Sequence, residues 1–559
     1  MFKKQNVTKM MTLILAVAFV FTAFVSASAD DATYTTVGYS DLEGALSMRL
    51  IARYKAGNAN PDGGIAEIVA YNSDNGKLYL VNGVEKTLDI VDISAVQDDG
   101  SVNLGPEEQN LISDKSIDLA EAIQKVAGYE TFEYGDLTSV AVNTAHDIVA
   151  VAVQAAGHND NGLVAVLNYD GEIQQLYPAG KQPDMIIFAG NDTILTADEG
   201  EPREGYSEGA TDPAGSVTVI DLNDSDPVKA STQVGFEDFD GQELPEFVLT
   251  KEDALPSVDF EPEYIALVGN FAYVTLQENN AIAVLDIAEK KFVSLKGLEF
   301  IDHSEVALDL IKKGKEAVLK TEPGFFGVPM PDGIAATQIG DKTYVLTANE
   351  GDAREWNDFA NVIVTEESIN GSEETEYETL DSALIKGLTD KDTRKYLFGG
   401  RSFFIYEADD ANNLTLVYTS GSELEEITAQ YVPGAFNSSH KDLKVDNRSG
   451  KKGPEPENVI TGVVDGKTFA FVALERVSGI MMYDISDPAN AKFVNYINTR
   501  SLAMDVEDGE EGYEEALNAA GDLGPEGLDF IPADQSPTGG ALLLVANEVS
   551  GTVSVIALG

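Results

Sequence analysis

A motif that recurs five times constrains the fold of this chain more than any other feature of its sequence. Each copy pairs a proline with an acidic residue, and a second acid follows 15 to 22 positions later at the end of an apolar run. The proline–acid pairs are Pro183-Asp184, Pro262-Glu263, Pro331-Asp332, Pro456-Glu457 and Pro525-Glu526. The following acids are Glu199, Glu278, Glu350, Glu475 and Glu548. A recurring unit of this kind predicts a repeat architecture in which neighbouring units share a core.

Between each proline–acid pair and its following acid, the sequence is typical of a β-hairpin. In the fourth unit, residues 264–268 and 271–276 are predicted strands joined by a turn at Gly269-Asn270. The sixth unit repeats this pattern around Asp465-Gly466, and residues 492–498 are a predicted fourth strand. The hairpin turn grows to residues 533–540 in the last unit, which explains the variable spacing.

Two degenerate copies upstream, around residues 78–93 and 136–167, bring the predicted number of units to seven. We therefore predict an all-β fold, a seven-bladed β-propeller with four strands in each blade. The alternative is a chain of separate β-sandwiches, which is disfavoured because no unit buries both faces of its sheet alone. Apolar residues around 47–53 are expected to supply a strand that closes the ring with the last unit.

The units are longer than ordinary blades, roughly 76 residues against about 40 to 50, so decorated loops are expected. We predict two insertions, residues 97–130 and 356–400. The first should contain an amphipathic helix with Ile117, Ala120, Ile123 and Val126 on one face. The second is acidic and is predicted to be partly helical. Residues 30–559 are predicted to form a single propeller domain.

Residues 1–29 have the pattern of a secretory signal peptide. Lys3, Lys4 and Lys9 precede an apolar stretch of 15 residues, and Ala27-Ser28-Ala29 supplies a cleavage site. A helix needs about 20 apolar residues to span a bilayer, and no later segment provides them. The mature chain is therefore expected to be secreted or associated with the cell surface, without a membrane span.

Charge and composition exclude several classes of partner and site. The formal net charge of −58 becomes −61 when the three lysines of the signal segment are removed, so nucleic acid is an unsuitable partner. The chain has no cysteine, which excludes disulfides and thiolate chemistry. No phosphate-binding glycine loop, H-E-x-x-H or G-x-S-x-G motif occurs in the sequence.

Strand polarity predicts where the recurring acids lie. The proline–acid pair begins one strand of a hairpin and the following acid ends the next, and antiparallel strands bring these two ends together. We therefore expect all ten carboxylates at one mouth of the propeller. The two upstream units lack the full pair, so the acids should concentrate on the third to seventh units.

So many carboxylates at one mouth repel one another unless cations or hydrogen bonds compensate. Oxygen-rich sites suit hard divalent cations, so Ca²⁺ is the expected cofactor and all ten acids are candidate ligands. The alternative is that the acids only brace loops through backbone N–H groups. Arg203, Arg354 and Arg476 lie within four residues of a following acid and are expected to pair with neighbouring acids. Glu199, Glu350, Arg203, Arg354 and His158 are the candidate catalytic residues if the chain is an enzyme.

The segments TANEGDARE at 347–355, TADEGEPRE at 196–204 and GPEGLDF at 524–530 resemble the choice-of-anchor I family. The resemblance covers most of residues 40–557 and implies a secreted or surface bacterial β-propeller protein. Some members of the family carry an alkaline-phosphatase label, whereas others are described only as surface proteins.

Two functions follow as expectations. The first is an extracellular binding or surface module whose acidic mouth takes cations or a small ligand, or contacts a cell-envelope component. The second is a Ca²⁺-type phosphoesterase resembling propeller phosphatases and phytases, in which carboxylates hold metal and arginines bind phosphate oxygens. A sugar lactonase or a quinoprotein dehydrogenase is a third option, although a single tryptophan offers little surface for stacking a quinone.

Overall fold

The computed structural model describes residues 35–38, 46–100, 104–312, 316–357, 359–369, 374–391, 393–504 and 506–559. In this part of the chain, six sheets have four strands each and one has five, and the strands within each of these sheets are antiparallel. The all-β prediction is therefore confirmed. The predicted signal segment, residues 1–29, lies outside the described residues.

The sheets follow one another along the chain, and each is numbered here by that order. The first contains Val69–Asn72, Lys77–Asn82, Thr87–Asp92 and Ser113–Asp118. The second contains Tyr134–Asn143, Ile148–Ala155, Asn161–Asn168 and Ile173–Lys181. The third contains Pro183–Phe188, Thr193–Asp198, Ser216–Asp221 and Ser231–Val234. The fourth contains Pro262–Val268, Phe271–Leu276, Ala281–Asp286 and Lys291–Gly297.

The remaining three sheets continue this pattern. The fifth contains Ile334–Ile339, Lys342–Asn349, Ser402–Ala408 and Leu414–Thr419. The sixth contains Pro456–Val464, Lys467–Leu474, Ile480–Asp484 and Lys492–Asn498, with Thr35–Gly38 added at its outer edge. The seventh contains Pro525–Ile531, Ala541–Asn547, Thr552–Leu558 and, as its outer strand, Met48–Lys55.

The first-named strand of each sheet, here called the inner strand, joins the sheets into a ring. Each inner strand contacts the inner strand of the next sheet, and that of the seventh contacts that of the first. Met48–Lys55 pairs antiparallel with Thr552–Leu558, so the predicted N-terminal closing strand is confirmed. Such a ring contradicts the alternative of separate sandwiches.

Apolar clusters between neighbouring sheets hold the ring together. Leu88 of the first sheet and Val149 of the second belong to one buried cluster. Phe403 of the fifth sheet and Tyr483 of the sixth belong to another, with ring centroids 4.7 Å apart. Neighbouring sheets cover both faces of the central strands, so the sequences of these strands are nearly continuous apolar runs. In Ala541–Asn547, for example, every residue is buried.

Two hairpins show how turn chemistry sets the register. Asp465 and Gly466 both have positive φ, 50° and 78°, which matches the twist of the flanking strands. Gly269 has φ of 61° in the equivalent turn of the fourth sheet. Both predicted turns are therefore confirmed, and they fix which face of each strand meets the neighbouring sheet.

The first predicted insertion contains less helix than expected. Residues 113–118 are the outer strand of the first sheet, in which Ile117 pairs with Leu88, and the helix spans only Leu119–Gln124. The side chain of Asp118 accepts a hydrogen bond of 2.8 Å from the backbone N–H of Glu121, which starts the helix there. Val126 lies beyond its end.

The second predicted insertion is built from strands, and its described residues contain no helix, which corrects the sequence-based expectation. Val362–Ser368 pairs with Glu374–Leu380, and Glu355–Trp356 pairs with Phe359–Ala360. The period-two alternation of ETEYETL at 374–380 favours a strand, because Thr and Tyr suit one better than a helix. Ile385–Lys386 pairs with Thr250–Lys251, and Lys395–Phe398 forms a small sheet with Phe325–Val328 and Ile301–Asp302.

The other helices lie in connections that the sequence analysis did not single out. They are Pro227–Ala230, Pro256–Asp259, Glu423–Tyr431 and Tyr513–Asn518, with 3₁₀ turns at Glu237–Phe239 and Pro488–Asn490. Among the described residues, none of the helices combines the length and apolar character needed to cross a bilayer.

Candidate functional site

The proline–acid pairs lie at the starts of inner strands. At four of the five, the proline pairs with a residue one or two positions before the following acid. These pairs are Pro183 with Asp198, Pro262 with Leu276, Pro456 with Leu474, and Pro525 with Asn547. In all four strands the pairing register shifts between the proline and the residue three positions later, a stretch that contains the acid. Such a bulge redirects a side chain out of the strand's alternation. The fifth inner strand has no such shift, so the bulge is not required to bring the inner acid near the following acid.

The residue before the proline completes this arrangement. Gln182, Met330 and Glu455 have φ of 53°, 48° and 53°, values that non-glycine residues rarely adopt. The backbone N–H of Glu199 donates to the carbonyl of Gln182 at 3.1 Å, and that of Glu475 donates to the carbonyl of Glu455 at 2.9 Å. Left-handed backbone of this kind costs about 1 to 3 kcal/mol and concentrates at functional sites.

The acids converge on one cavity of about 430 Å³. All ten predicted carboxylates line it: Asp184, Glu199, Glu263, Glu278, Asp332, Glu350, Glu457, Glu475, Glu526 and Glu548. Four further acids join them, namely Glu67, Asp136, Glu201 and Asp352. The geometric part of the prediction, that both members of every pair lie together, agrees with the structure.

Glu67 and Asp136 correct the expectation of a lopsided ring. They lie at the start of the first and second inner strands, in the position of the acid in a proline–acid pair. Ala66 and Gly135 stand where the other units have proline. The inner acids therefore come from all seven sheets, and only the following acids are confined to the third to seventh.

Carboxylates of adjacent sheets form compact groups. One group contains Asp184, Glu199 and Glu263, and a second contains Asp332, Glu350 and Glu457; in each, one oxygen per residue lies within 4.8 Å of the others. Both groups combine an inner acid, its following acid and the inner acid of the next sheet. A third group joins His440 to Glu475 and Glu548.

Three cationic side chains line the cavity and already contact acids. Arg203 Nη2 lies 2.8 Å from Glu201 and 3.9 Å from Glu199. Arg476 lies 3.0 Å from both Glu475 and Glu455. Lys452 Nζ lies 2.5 Å from Glu350 Oε1 and 3.2 Å from Asp352. The expectation that Arg203 and Arg476 pair with neighbouring acids agrees with these contacts.

Burial shifts the ionisation of the acids far from its ordinary range. It is the largest cause that raises the pKa of Asp184, Glu278 and Glu526 to about 7 and that of Glu350 to about 8, with neighbouring carboxylates adding to it. Burial also raises the pKa of Glu263, Asp332 and Glu457. The cavity therefore favours protons or cations beside its carboxylates.

Glu475 behaves differently. Although burial opposes ionisation, Arg476 and His440 hold the pKa of the Glu475 carboxyl below its ordinary value. His440 Nδ1 lies 3.0 Å from Glu475 Oε1. This carboxylate is thus ionised near neutral pH and is compensated by the Arg476 guanidinium, whereas burial lowers the pKa of His440 and favours its neutral form.

Two candidate catalytic residues lie apart from the cavity lining. Arg354 is 1% exposed, with Nη1 2.9 Å from Asp259 Oδ1 and Nη2 3.2 Å from Glu261 Oε1, so it is committed to a buried ion-pair network. His158 lies 3.8 Å from Glu204. Arg203, Glu199 and Glu350 line the cavity as expected.

Some of the cavity residues that were not predicted have a recognisable sequence signal, and others do not. Glu201 and Asp352 each lie two positions after a following acid, in the parallel segments Glu199-Gly-Glu201 and Glu350-Gly-Asp352, which is a usable signal. Lys452 carries no such signal, because it comes from a long connection before the sixth sheet.

Comparison with known proteins identifies a family model that matches most of this chain. The model of the choice-of-anchor I domain matches residues 67–488. Gigasin-3a of Magallana gigas is 30% identical over 182 residues, which cover 32% of this chain and 61% of that protein. The mesenchyme-specific cell surface glycoprotein of Strongylocentrotus purpuratus is 28% identical over 207 residues, which cover 29% of this chain and 26% of that protein. The matches thus span only part of the length of either relative.

Solved structures give a weak likeness in shape. The WD40 domain of Toxoplasma gondii coronin has a TM-score of 0.44 at 9% identity, over 92% of this chain and 86% of that one. Kuenenia stuttgartiensis hydrazine synthase has a TM-score of 0.42 at 12% identity, over 90% of this chain and 98% of that one. Nothing about the activity of this chain follows from either.

Proposed function

Because the chain belongs to the choice-of-anchor I domain family, whose model matches residues 67–488, we propose that it is an extracellular or cell-surface binding module. In this proposal the ring of sheets is a seven-bladed β-propeller, and its acidic cavity binds divalent cations. The name of the Strongylocentrotus purpuratus relative, a mesenchyme-specific cell surface glycoprotein, supports the surface location, as does the signal-peptide pattern of residues 1–29.

The observation that carries the cation proposal is the imbalance of charge in the cavity. Among the described residues, fourteen carboxylates line it against three cationic side chains. Two unit charges 4 Å apart interact by about 4 kcal/mol at an effective dielectric constant of about 20, so full ionisation without counter-ions is very costly. Either bound protons or bound cations must offset this repulsion. Near neutral pH, cations can offset it while the carboxylates stay ionised and act as ligands.

The donor atoms favour a hard cation. The groups Asp184/Glu199/Glu263 and Asp332/Glu350/Glu457 offer only carboxylate oxygens, which suit Ca²⁺ or Mg²⁺ better than softer metals. Ca²⁺ tolerates the irregular geometry that side chains from different strands provide, whereas Mg²⁺ demands a near-ideal octahedron. We therefore take Ca²⁺ as the cation.

Calorimetry and thermal unfolding of residues 30–559, first stripped with a chelator, test the proposal. Ca²⁺ should give saturable binding heat and raise Tm, because a ligand that binds only the folded state stabilises it. Potassium chloride at matched ionic strength controls for simple charge screening. If Ca²⁺ and Mg²⁺ both give no saturable heat, the cavity is not a divalent-cation site.

A paired variant localises the effect. Glu199→Gln combined with Glu350→Gln should remove most of the rise in Tm caused by Ca²⁺. Asp529→Asn is the matched control, since Asp529 is an acid of the seventh inner strand whose pKa burial raises to about 7, but it accepts a hydrogen bond from the Tyr71 backbone and lies outside the cavity lining. If Ca²⁺ raises Tm equally in the paired variant and in Asp529→Asn, the ion binds somewhere other than at Glu199 and Glu350.

Phosphoester hydrolysis is the second candidate, and the presence of Arg203, Lys452 and Arg476 in the same cavity favours it. These cations would hold phosphate oxygens while a carboxylate-bound metal activates water. All three are paired with acids, so a phosphate must compete for them. Turnover of a chromogenic phosphate monoester that occurs with Ca²⁺ and is absent with chelator would support this candidate. If no metal and no pH gives turnover, only the binding-module proposal remains.

A further inference from the structure

Three carboxylate oxygens of residues that line the cavity are buried without a hydrogen-bond partner in the described part of the chain. They are Oδ2 of Asp332, a residue only 5% exposed, Oε2 of Glu457 and Oε2 of Glu278. A buried acceptor without a donor costs about 1 to 3 kcal/mol and more when it is charged. Asp332 and Glu457 belong to the group in which Glu350 is the third member, whereas Glu278 lies outside both groups of three carboxylates.

The backbone fixes these two acids beside each other. Asp332 precedes the fifth inner strand and Glu457 lies in the sixth, and between them the Gly333 N–H donates to the Glu457 carbonyl at 3.0 Å. A Cβ at Gly333 would lie 2.6 Å from Asn458 Cα, so only glycine permits this approach of the two strands. The site is thus preorganised by main-chain contacts and not by the carboxylates themselves.

The third carboxylate is held by two donors. Gln277 Nε2 donates to Glu350 Oε2 at 2.7 Å, and Lys452 Nζ contacts Glu350 Oε1 at 2.5 Å. Lys452 also lies 3.2 Å from Asp352 and 3.2 Å from Glu455. Each oxygen of Glu350 therefore has a donor, and one of the two lies within 4.8 Å of an oxygen of Asp332 and of Glu457.

We propose that Asp332, Glu350 and Glu457 form a discrete site for one hard divalent cation of the Ca²⁺ class, which bridges the fifth and sixth sheets and competes with Lys452 for Glu350. This inference rests on the proposed cation binding and assigns it to one position. The ion supplies the partner that the oxygens of Asp332 and Glu457 lack. Lys452 lowers the affinity of the site by repelling the ion and by holding one oxygen of Glu350.

The repeat provides a matched comparison. Asp184, Glu199 and Glu263 have the same relation between the third and fourth sheets, but their nearest cavity cation is Arg203, whose Nη2 lies 3.9 Å from Glu199. Of these two groups, as far as the structure describes them, only the Asp332 group contains buried oxygens without a hydrogen-bond partner. We therefore assign the tighter site to the Asp332 group and use Glu263→Gln as the control.

Calorimetric titration of Ca²⁺ into residues 30–559 tests the assignment. Asp332→Asn and Glu457→Gln should each weaken the tightest Ca²⁺ site by at least about tenfold, since even outer-shell partners of a metal are worth about 10- to 100-fold in affinity. Glu263→Gln should change that site by less than about threefold, because Glu263 belongs to the other group. Lys452→Met should tighten it by several-fold, an outcome that a purely structural role of these residues does not produce.

Two results separate the failure of this inference from the failure of the proposed function. If the wild-type chain binds no divalent cation, both fall. If it binds Ca²⁺ but the tightest site survives both Asp332→Asn and Glu457→Gln, or is lost in Glu263→Gln, only the assignment falls. Circular dichroism of each variant confirms folding, and Asp332→Asn and Glu457→Gln supply two independent tests should one fail to fold.

Discussion

The hydroxyl of Tyr264 donates a hydrogen bond of 2.7 Å to Oε1 of Glu526, a residue 262 positions later in the chain. Tyr264 lies in the inner strand of the fourth sheet and Glu526 in that of the seventh. The contact therefore spans the cavity and ties opposite parts of the ring together. Burial raises the pKa of Glu526 to about 7, and the Tyr264 hydrogen bond opposes that rise.

Tyr264→Phe should reduce stability in a pH-dependent way. Without the hydroxyl, the ionised Glu526 loses a donor, so the free energy of unfolding should fall by about 1.5 to 3 kcal/mol at a pH above about 8. Near pH 5 the loss should be smaller, because the Glu526 carboxyl is then protonated. Urea denaturation at the two pH values measures the difference.

Tyr273→Phe is the matched control for this experiment. Tyr273 lies in the same sheet, is 1% exposed and donates to the neutral Asn412 Oδ1 at 3.0 Å. Its loss should cost about 1 kcal/mol at either pH. Equal behaviour of the two variants would show that the charge of Glu526 is irrelevant to the contact.

Stability of the cation-free chain should fall as pH rises from about 5 to about 8. The folded-state pKa values of Asp184, Glu278 and Glu526 are raised to about 7 and that of Glu350 to about 8, while carboxyls of the unfolded chain have pKa values of about 4. The folded chain therefore holds more protons in this window, and stability decreases with pH wherever that is so. Urea denaturation in chelator at constant ionic strength measures the slope.

Ca²⁺ should flatten this pH dependence, because the ion offsets the charge that deprotonation creates in the cavity. Glu526→Gln should also reduce the slope, since it removes one of the titrating groups. Stability that increases steadily up to about pH 8 in chelator would contradict the raised pKa values.

Arg354 should matter for stability far more than Arg203. Arg354→Met leaves Asp259 and Glu261 buried without their partner, a change that costs about 3 to 5 kcal/mol. Arg203→Gln removes a side chain that is 41% exposed, and the loss should stay below about 1 kcal/mol. Denaturant unfolding of both variants gives the comparison, and equal losses would refute the buried network.

Removal of the closing strand should prevent folding. Deletion of residues 40–55 takes away Met48–Lys55, the outer strand of the seventh sheet, and exposes the edge of Thr552–Leu558. The protein should then be aggregated or rapidly proteolysed. A chain that lacks only residues 1–34 is the control and should fold; a folded chain after the larger deletion would contradict ring closure by this strand.

Local patterns were enough to predict much of the fold. Apolar alternation and turns such as Asp465-Gly466 gave the hairpins, and the apolar segment around residues 47–53 gave the closing strand. The insertions were harder, because short segments such as residues 374–380 depend on the strand that they find to pair with. Propensity alone does not supply that partner.

The sequence by itself determined that ten acids meet at one end of the ring, because a repeated spacing and antiparallel pairing leave them no other place. Only the tertiary structure decided that Glu67, Asp136 and Lys452 join them, that Arg354 lies in a buried ion-pair network, and that Asp332 and Glu457 each hold a buried oxygen without a partner. The reason is physical: repeats fix strand register locally, whereas charge compensation depends on side chains that come from distant connections and meet only when the ring closes.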